Sequence, residues 1–378
     1  MDLQPLVLKK GEERRVRAGH HWVFSNEVDT GKSPLSGFSA GEPAQILDYR
    51  HQPLGCGYVN PNALICARLT SRRVDEPLDQ ALLEQRIARA LALRQQVFSR
   101  PFYRLVYGDS DALSGLVVDR YDQTLVVQIT TAGMEALKDA IIAALEQVIQ
   151  PETILLRNDT SSRNLEGLAL YKEYVRGQQD PIVTLEENGV PFFADIYNGQ
   201  KTGWFYDHRL NRERMSRYVS EQRVLDLFSY VGGWGIQAAV AGAKSVLCID
   251  DSRSALELVD RNAALNAVTD RVSSEKSDAF SALKTLYSEE ARFDVIIIDP
   301  PAFIQRKKDV KTGIEAYRRI NQLAMRVLAS PGILISASCS ARLQYDVLKE
   351  LLHKASRQGE RSLQILEQGH QGPDHPIH

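Results

Sequence analysis

The residues with chemical potential stand at the ends of apolar runs in the second half of the chain. Arg223-Val-Leu-Asp-Leu-Phe-Ser-Tyr-Val-Gly-Gly-Trp-Gly235 reads as a short strand entering a glycine-rich turn, followed by a helix over 236–241. Gly232, Gly233 and Gly235 let backbone approach a ligand closely, and the amides at the helix start point outward as donors. Some fifteen residues on, Ser245-Val-Leu-Cys-Ile-Asp250 is a second buried strand closed by a carboxylate that can accept the two hydroxyls of a ribose. Together they point to an adenosine-containing cofactor without saying which one.

The remaining apolar runs end in the same manner. In order they deliver Asp226 with the glycine turn, Asp250, Asp278 with Ala279, Asp299-Pro-Pro-Ala-Phe303 after Val295-Ile-Ile-Ile298, and Ser338-Cys339-Ser340. The two prolines remove amide donors and stiffen the turn, so the Asp299 carboxylate is held out toward a planar substrate. Cys339, flanked by serines and two strands from the glycine turn, reads as a nucleophile rather than a small packing residue. A reactive thiol acts as thiolate, so an electropositive, partly exposed setting is expected for it. Cys248, in mid-strand, and Cys56 and Cys66, in the first domain, read as core.

The elements that must position these groups alternate regularly from Arg223 onward. Strands are predicted at 224–228, 245–250, 271–276, 294–298 and 332–337, with a last one near 363–366; helices are predicted at 236–241, 254–266, 280–287, 313–329 and 344–356. Alternating βα units imply a parallel sheet with helices on both faces and a site at the carboxyl ends of its strands. A hairpin over 182–195, turning at Glu187-Asn-Gly189, precedes them, followed by the polar and aromatic segment Gly199-Gln-Lys-Thr-Gly-Trp-Phe-Tyr-Asp-His-Arg209.

Residues 6–73 carry short strands separated by glycine and proline, as a small all-β barrel requires. The segment from Lys9 to Trp22 is a basic loop or short helix; it suits phosphate contacts and stacking, although Trp22 itself reads as core. A helix is predicted within 75–100, then a strand meander at 103–107, 115–121 and 124–129, a helix over 134–148 and a strand at 153–157. The cluster Arg157-Asn-Asp159 with Arg163 and Glu166 reads as a structural network. Three domains follow: a barrel over 1–73, an α+β unit over 74–180, and an α/β domain with a Rossmann-like sheet over 181–378.

The 378 residues, 43% hydrophobic and 25% charged, are of ordinary globular composition. With a formal net charge of −2, any nucleic acid must be held by local basic patches rather than a global field. Residues 1–73 supply one, with ten Lys/Arg against seven Asp/Glu. The four cysteines form no Cys-x-x-Cys pair and have no histidines at ligand spacing, so no metal is expected and the protein reads as reduced and cytoplasmic. Neither a signal-peptide core nor a bilayer-spanning run is present, so a soluble chain is expected.

The stretch from Gln200 to Ser340 resembles the class I S-adenosylmethionine-dependent methyltransferases. More narrowly, it resembles the bacterial large-subunit ribosomal RNA cytosine-5 methyltransferases that carry an N-terminal PUA domain. Gln200-Lys-Thr-Gly, Asp226-Leu-Phe-Ser-Tyr-x-Gly-Gly and Asp299-Pro-Pro-x-Phe are the most distinctive matches. Leu8-Lys-Lys-Gly-Glu-Glu-Arg-Arg with His21-Trp-Val-Phe-Ser is similar to the PUA start, and Tyr103-Arg-Leu-Val with Gly115-Leu-Val-Val-Asp-Arg-Tyr to the central domain. The resemblance implies that S-adenosylmethionine is held by Ser229, Tyr230, Gly232, Asp250, Ser252, Asp278, Ala279, Asp299 and Thr202. Asp250 would take the ribose, Asp278 the adenine amino group, and Asp299 would also face the base. Lys201, Thr202, Asp207 and Arg209 match a segment that closes the pocket. The implied partner is large-subunit ribosomal RNA, and a homodimer is compatible with it.

Carbon 5 of cytosine is too weak a nucleophile for a sulfonium methyl until a thiolate adds at carbon 6, which is the role of Cys339. The base must leave its stack, and Asp299 could share a proton with its N3. Several positions depart from the family. Ala302 stands where related RNA cytosine-5 enzymes have a second, product-releasing cysteine, His208 replaces a glutamine, Trp204 replaces a smaller aromatic, and Ser114 a proline. The chain also stops at His378, where the family continues into a final antiparallel strand, so either the sequence is truncated or the sheet lacks its seventh strand and leaves an unpaired edge. The alternatives are a guanine-N7 or other RNA methyltransferase on the same scaffold, which needs no nucleophile, and an inert RNA-binding ribosome-assembly factor. A dinucleotide-dependent oxidoreductase is disfavoured, because Asp-Pro-Pro and Ser-Cys-Ser have no role there.

Overall fold

A computed structural model describes residues 3–378; Met1 and Asp2, the start of the segment weighed as a signal peptide, lie outside them. The chain divides into two compact units. One comprises residues 1–183, 195–207 and 371–378, the other residues 184–194 and 208–370.

The first unit begins with β1 (Gln4–Val7), α1 (Glu13–Arg17), β2 (Trp22–Phe24), β3 (Glu42–Leu47), β4 (Pro53–Val59) and β5 (Ile65–Ser71), in the sheet order β1-β3-β4-β5-β2. Leu6, Val23, Ile46, Val59 and Leu69 form its core, and Cys56 and Cys66 are buried as expected. Trp22 corrects the reading. It is half-buried, with its indole N–H donating to the Asp109 carboxylate at 3.1 and 3.2 Å.

The same unit continues with α2 (Gln80–Val97), β6 (Phe102–Tyr107), β7 (Leu116–Tyr121), β8 (Thr124–Ile129), α3 (Ala132–Ala136), α4 (Lys138–Ile149), β9 (Thr153–Asn158) and β10 (Tyr171–Arg176). The helix predicted over 134–148 is thus two helices meeting at Leu137, and β10 has no counterpart in the sequence reading. The sheet runs β10-β9-β8-β7-β6. Alternate residues of its strands (Leu105, Val118, Val127, Leu156) pack with Leu83 and Ile87 of α2 and Ile141 and Leu145 of α4. The period of two turns the intervening residues to the other face, where polar Arg104, Asp119, Gln128 and Arg157 stand beside fully buried Val126 and Leu155. Arg163 donates to Glu135 at 2.8 Å and Glu166 accepts from Asn60 and Arg68 at 2.7 and 3.2 Å, so these two are structural, as expected. Residues 371–378 belong here too. Asp374 is fully buried, its Oδ2 accepting from the Arg104 N–H and its carbonyl from Arg94.

The hairpin β11 (Ile182–Glu187) and β12 (Val190–Asp195) leads into the second unit. It contains α5 (Arg209–Met215), β13 (Arg223–Leu227), α6 (Gly233–Val240), β14 (Ser245–Asp250), α7 (Arg253–Leu265), β15 (Val272–Lys276), α8 (Ala279–Ser288), β16 (Phe293–Ile298), α9 (Val310–Val327), β17 (Leu328–Ser336) and α10 (Tyr345–Gln358). The five strands are all parallel in the order β15-β14-β13-β16-β17. Leu225, Leu227, Ile249, Ile296 and Ile298 pack against Leu283 of α8 and Ile320 of α9. This is the α/β architecture expected, with one correction: no strand forms at 363–366. Ile365 and Leu366 are exposed, and Arg361 donates to the Leu328 and Ala329 carbonyls of β17, engaging that edge with a side chain instead of a strand.

Candidate active site

Parallel register aligns the strand ends. Leu227 pairs with Ile249 and Ile298, and Ile298 with Ser336, so Phe228, Asp250, Asp299 and Ala337 emerge at one level. The turn after β13 is built from Phe228 (φ 62°), Tyr230 (φ 50°) and Gly232 (φ 84°). Two non-glycine residues in the left-handed region within three positions are backbone held against its preference, a pattern that clusters at ligand sites. Asp250 helps hold it there. Its Oδ2 accepts the Tyr230 N–H at 2.8 Å and its Oδ1 the Ser252 N–H at 2.9 Å. Burial raises the Asp250 pKa against these two donors.

Gly235 is needed for packing rather than for φ. A Cβ there would lie 2.5 Å from Cys248 Sγ and 3.1 Å from Asp226 Oδ2, and the absence of one lets α6 sit close on β13 and β14. Asp226 accepts the Gly235 N–H at 2.8 Å. Burial pushes its carboxyl up to about 8, with Asp299 and Asp250 adding to the rise. Cys248 is buried beside it, as predicted.

Asp299 is gripped on both oxygens. The Trp234 indole N–H donates to Oδ2 at 3.0 Å, and His208 Nε2 lies 3.3 Å from Oδ1. Burial pushes this carboxyl up, but His208 and the Trp234 donor outweigh it, so its pKa falls below the usual range. This direction favours the charged form of Asp299, with His208 as its neighbouring cation or donor.

The serines beside Cys339 explain its exposure. Ser338 donates to the Tyr317 hydroxyl at 2.9 Å, Tyr317 and Ser340 lie 2.9 Å apart, and Ser340 Oγ accepts the Ile304 N–H at 3.2 Å. Both flanking hydroxyls are thereby anchored to α9 and the loop after Asp-Pro-Pro, and the residue between them is exposed. Its Sγ–H donates to the Pro300 carbonyl at 3.6 Å. A continuous path thus leads from the glycine turn through Trp234, Asp299 and Pro300 to Cys339.

Other expected residues fall differently. Asp278 caps α8 by accepting the Ser281 N–H at 2.9 Å, Ala279 is buried behind it, and Ser252 caps α7. The preceding Ser277 N–H donates to the Asp250 carbonyl at 3.0 Å, which keeps the Asp278 corner beside Asp250. Thr202, expected at the cofactor, is fully buried with its hydroxyl donating to Asp119 at 2.5 Å. Sequence reasoning missed the grip of Trp234 on Asp299, and it missed buried Glu187, which receives Arg212 at 2.6 and 3.1 Å and Gln237 at 3.0 Å. The signals were an indole inside a glycine turn and an acid at the hairpin turn.

A nucleoside cofactor fits these residues. Ser229 Oγ and Asp226 Oδ1 are buried without a protein partner, and the Asp250 carboxylate stands beside a turn that glycine keeps free of side chains. The fold and site are those of a methyltransferase, and the chain belongs to the S-adenosylmethionine-dependent methyltransferase family, which residues 168–377 match; residues 6–72 match a PUA-like domain. S-adenosylmethionine is its cofactor. The chain is 36% identical to the ribosomal RNA large subunit methyltransferase I of Tolumonas auensis, over 98% of this chain and 94% of that one. It is 34% identical to the protein of the same name from Shigella dysenteriae serotype 1, over the same shares. The crystal structure of SMU.776, a methyltransferase complexed with SAH, shares the fold with a TM-score of 0.85 at 20% identity, over 100% of this chain and 96% of that one.

Proposed function

We propose that the protein methylates carbon 5 of a cytosine in large-subunit ribosomal RNA, with Cys339 as nucleophile. The observation that carries this reading is the exposed Cys339 thiol beside Pro300 on the edge that bears the glycine turn. An RNA substrate is supported by the PUA-like match and by relatives named as ribosomal RNA large subunit methyltransferases. No helix among the described residues is long and apolar enough to cross a membrane. The compartment we propose is the cytoplasm, where thiols stay reduced.

Ser229, Tyr230, Gly232 and Asp250 would hold the cofactor, with the corner at Ser252, Asp278 and Ala279 beside them. Bound S-adenosylmethionine supplies an electrophilic methyl on a sulfonium. Exposed Cys339 loses its proton to solvent, and the thiolate sulfur forms a bond to carbon 6 of an extruded cytosine, opening the 5,6 double bond and making carbon 5 nucleophilic. After methyl transfer a base removes the carbon 5 proton, the carbon–sulfur bond breaks, and the double bond and thiolate are restored. Asp299, as a carboxylate, accepts from the cytosine amino group, while His208 on its other side orients it.

The test is nucleoside analysis of ribosomal RNA after incubation with protein and S-adenosylmethionine. We expect 5-methylcytidine from the wild type and none from Cys339→Ala. A methylated purine, formed equally by both, would replace this chemistry with the guanine-N7 type.

A further inference from the structure

The face of the central sheet opposite α2 and α4 holds a polar cavity of about 390 Å³, lined by residues that include Arg104, Gln128, Arg157 and Lys201. Its floor follows from register. Arg104 pairs with Asp119, Val117 with Gln128 and Arg157 with Lys172, so these side chains share the face left uncovered by the helices. Thr160 and Ser162 of the loop after β9 complete the rim.

A solvated sheet face would be polar too, but this one is concave, and its arginines are fixed rather than waving. Arg104 donates from Nε and Nη2 to Asp119 at 2.9 and 2.8 Å, leaving its Nη1 without a hydrogen-bond partner among the described residues. Arg157, 3% exposed, is clamped between Asp159, at 3.1 and 3.2 Å, and the carbonyls of Ile196 and Gly199, at 2.5 and 2.9 Å. Lys172 lies 3.6 Å from Asp159. The cavity lining itself carries three cations, Arg104, Arg157 and Lys201, against one carboxylate, Asp159, while Asp119, Asp207 and Asp374 act on Arg104 from outside the lining. Lys201 is presented from a backbone at φ 51°, and its ammonium makes no ion pair among the described residues, resting over the Phe205 ring at 4.5 Å. The Gln128 side-chain amide, which lines the cavity, has no hydrogen-bond partner among the described residues. Pre-positioned donors, a net positive charge and no aromatic lining suit a phosphate and its ribose rather than a stacked base.

We propose that this cavity binds the phosphodiester backbone of the RNA substrate, contacting a nucleotide other than the one methylated. The inference rests on the RNA reading above and adds a second contact region to it. Because backbone is bound, the site contributes affinity and register but no sequence preference.

The test uses the full chain and a fluorescent ribosomal RNA fragment, titrated at several salt concentrations. Gln128→Glu is isosteric and places a charge opposite the phosphate; Lys201→Gln removes an exposed cation. Each is expected to weaken RNA binding about tenfold and to lower the slope of log K against log salt by about 0.7 to 0.9 per lost contact. Gln128→Glu should leave S-adenosylmethionine affinity unchanged. Wild-type binding with both variants indistinguishable from it overturns this inference while leaving the RNA reading intact. Failure of the wild type to bind ribosomal RNA overturns that reading and this one together. Inorganic phosphate, run as a competitor, distinguishes a small-anion site: displacement of RNA at micromolar phosphate would contradict the backbone assignment.

Discussion

Of the three five-stranded sheets among the described residues, the central one and the parallel one present functional groups in different ways. In the parallel sheet of the second unit every strand points the same way, so Asp250, Asp299 and Cys339 gather at one edge as consecutive strands end. In the central sheet of the first unit most neighbours are antiparallel, strand ends alternate, and what gathers is a face: Arg104, Gln128, Arg157 and Lys172 come from four strands at alternate positions. An edge assembles strained turns that can hold reacting atoms at fixed separation. A face assembles a field, which suits backbone binding. Our two proposals accordingly assign bond-making to the edge and a salt-dependent share of affinity to the face.

That division is broken most directly at Cys339. Cys339→Ala should reduce methyl transfer on the order of 10⁴-fold or more, with cofactor and RNA affinity unchanged; loss of cofactor binding instead would make the sulfur a packing residue. His208→Ala should cost roughly 10²-fold in turnover. It should also move the acid limb of the pH–rate profile upward, because the imidazole that depresses Asp299 is gone. An unmoved acid limb would show that His208 does not set the charge of Asp299.

Next in size, Gly235→Ala should destabilise the second unit by about 1–3 kcal/mol through overpacking, since the new methyl meets Cys248 Sγ and Asp226. Cys248→Ala in the same chain should recover part of the loss, which thermal unfolding would register. The smallest effect concerns pH. Asp226 has a folded pKa raised to about 8, so its contribution to stability is fully present below the unfolded carboxylate pKa and is lost as pH rises through about 8. Asp226→Asn should flatten that fall in melting temperature between pH 6 and pH 9; an unchanged slope would assign the titration elsewhere.

The edge was legible in sequence because each strand and its chemical terminus are contiguous. Val295-Ile-Ile-Ile298 followed by Asp299-Pro-Pro announces both at once, and the glycine turn announces its own conformation. The face was not legible, because Arg104, Gln128 and Arg157 are separated by long intervals and share a surface only through register. β10 escaped because Tyr171–Arg176 is mostly polar or charged on its open side, which hides the alternation. The strand expected at 363–366 failed for the opposite reason: apolar residues were present, but Arg361 had taken the β17 carbonyls. The bond from Thr202 to Asp119 was not legible either, because a motif carries order along the chain but not partners, and Asp119 lies on β7.

The central claim is a covalent one, and a trapping experiment addresses it. Ribosomal RNA carrying 5-azacytosine has no carbon 5 proton to remove, so a sulfur adduct at carbon 6 cannot eliminate. Incubated with the protein and S-adenosylmethionine and resolved under denaturing conditions, the wild type should give a protein–RNA species that peptide mapping places on Cys339, and Cys339→Ala should give none. Methylation of ordinary RNA proceeding normally while no adduct forms with the analogue would contradict the account.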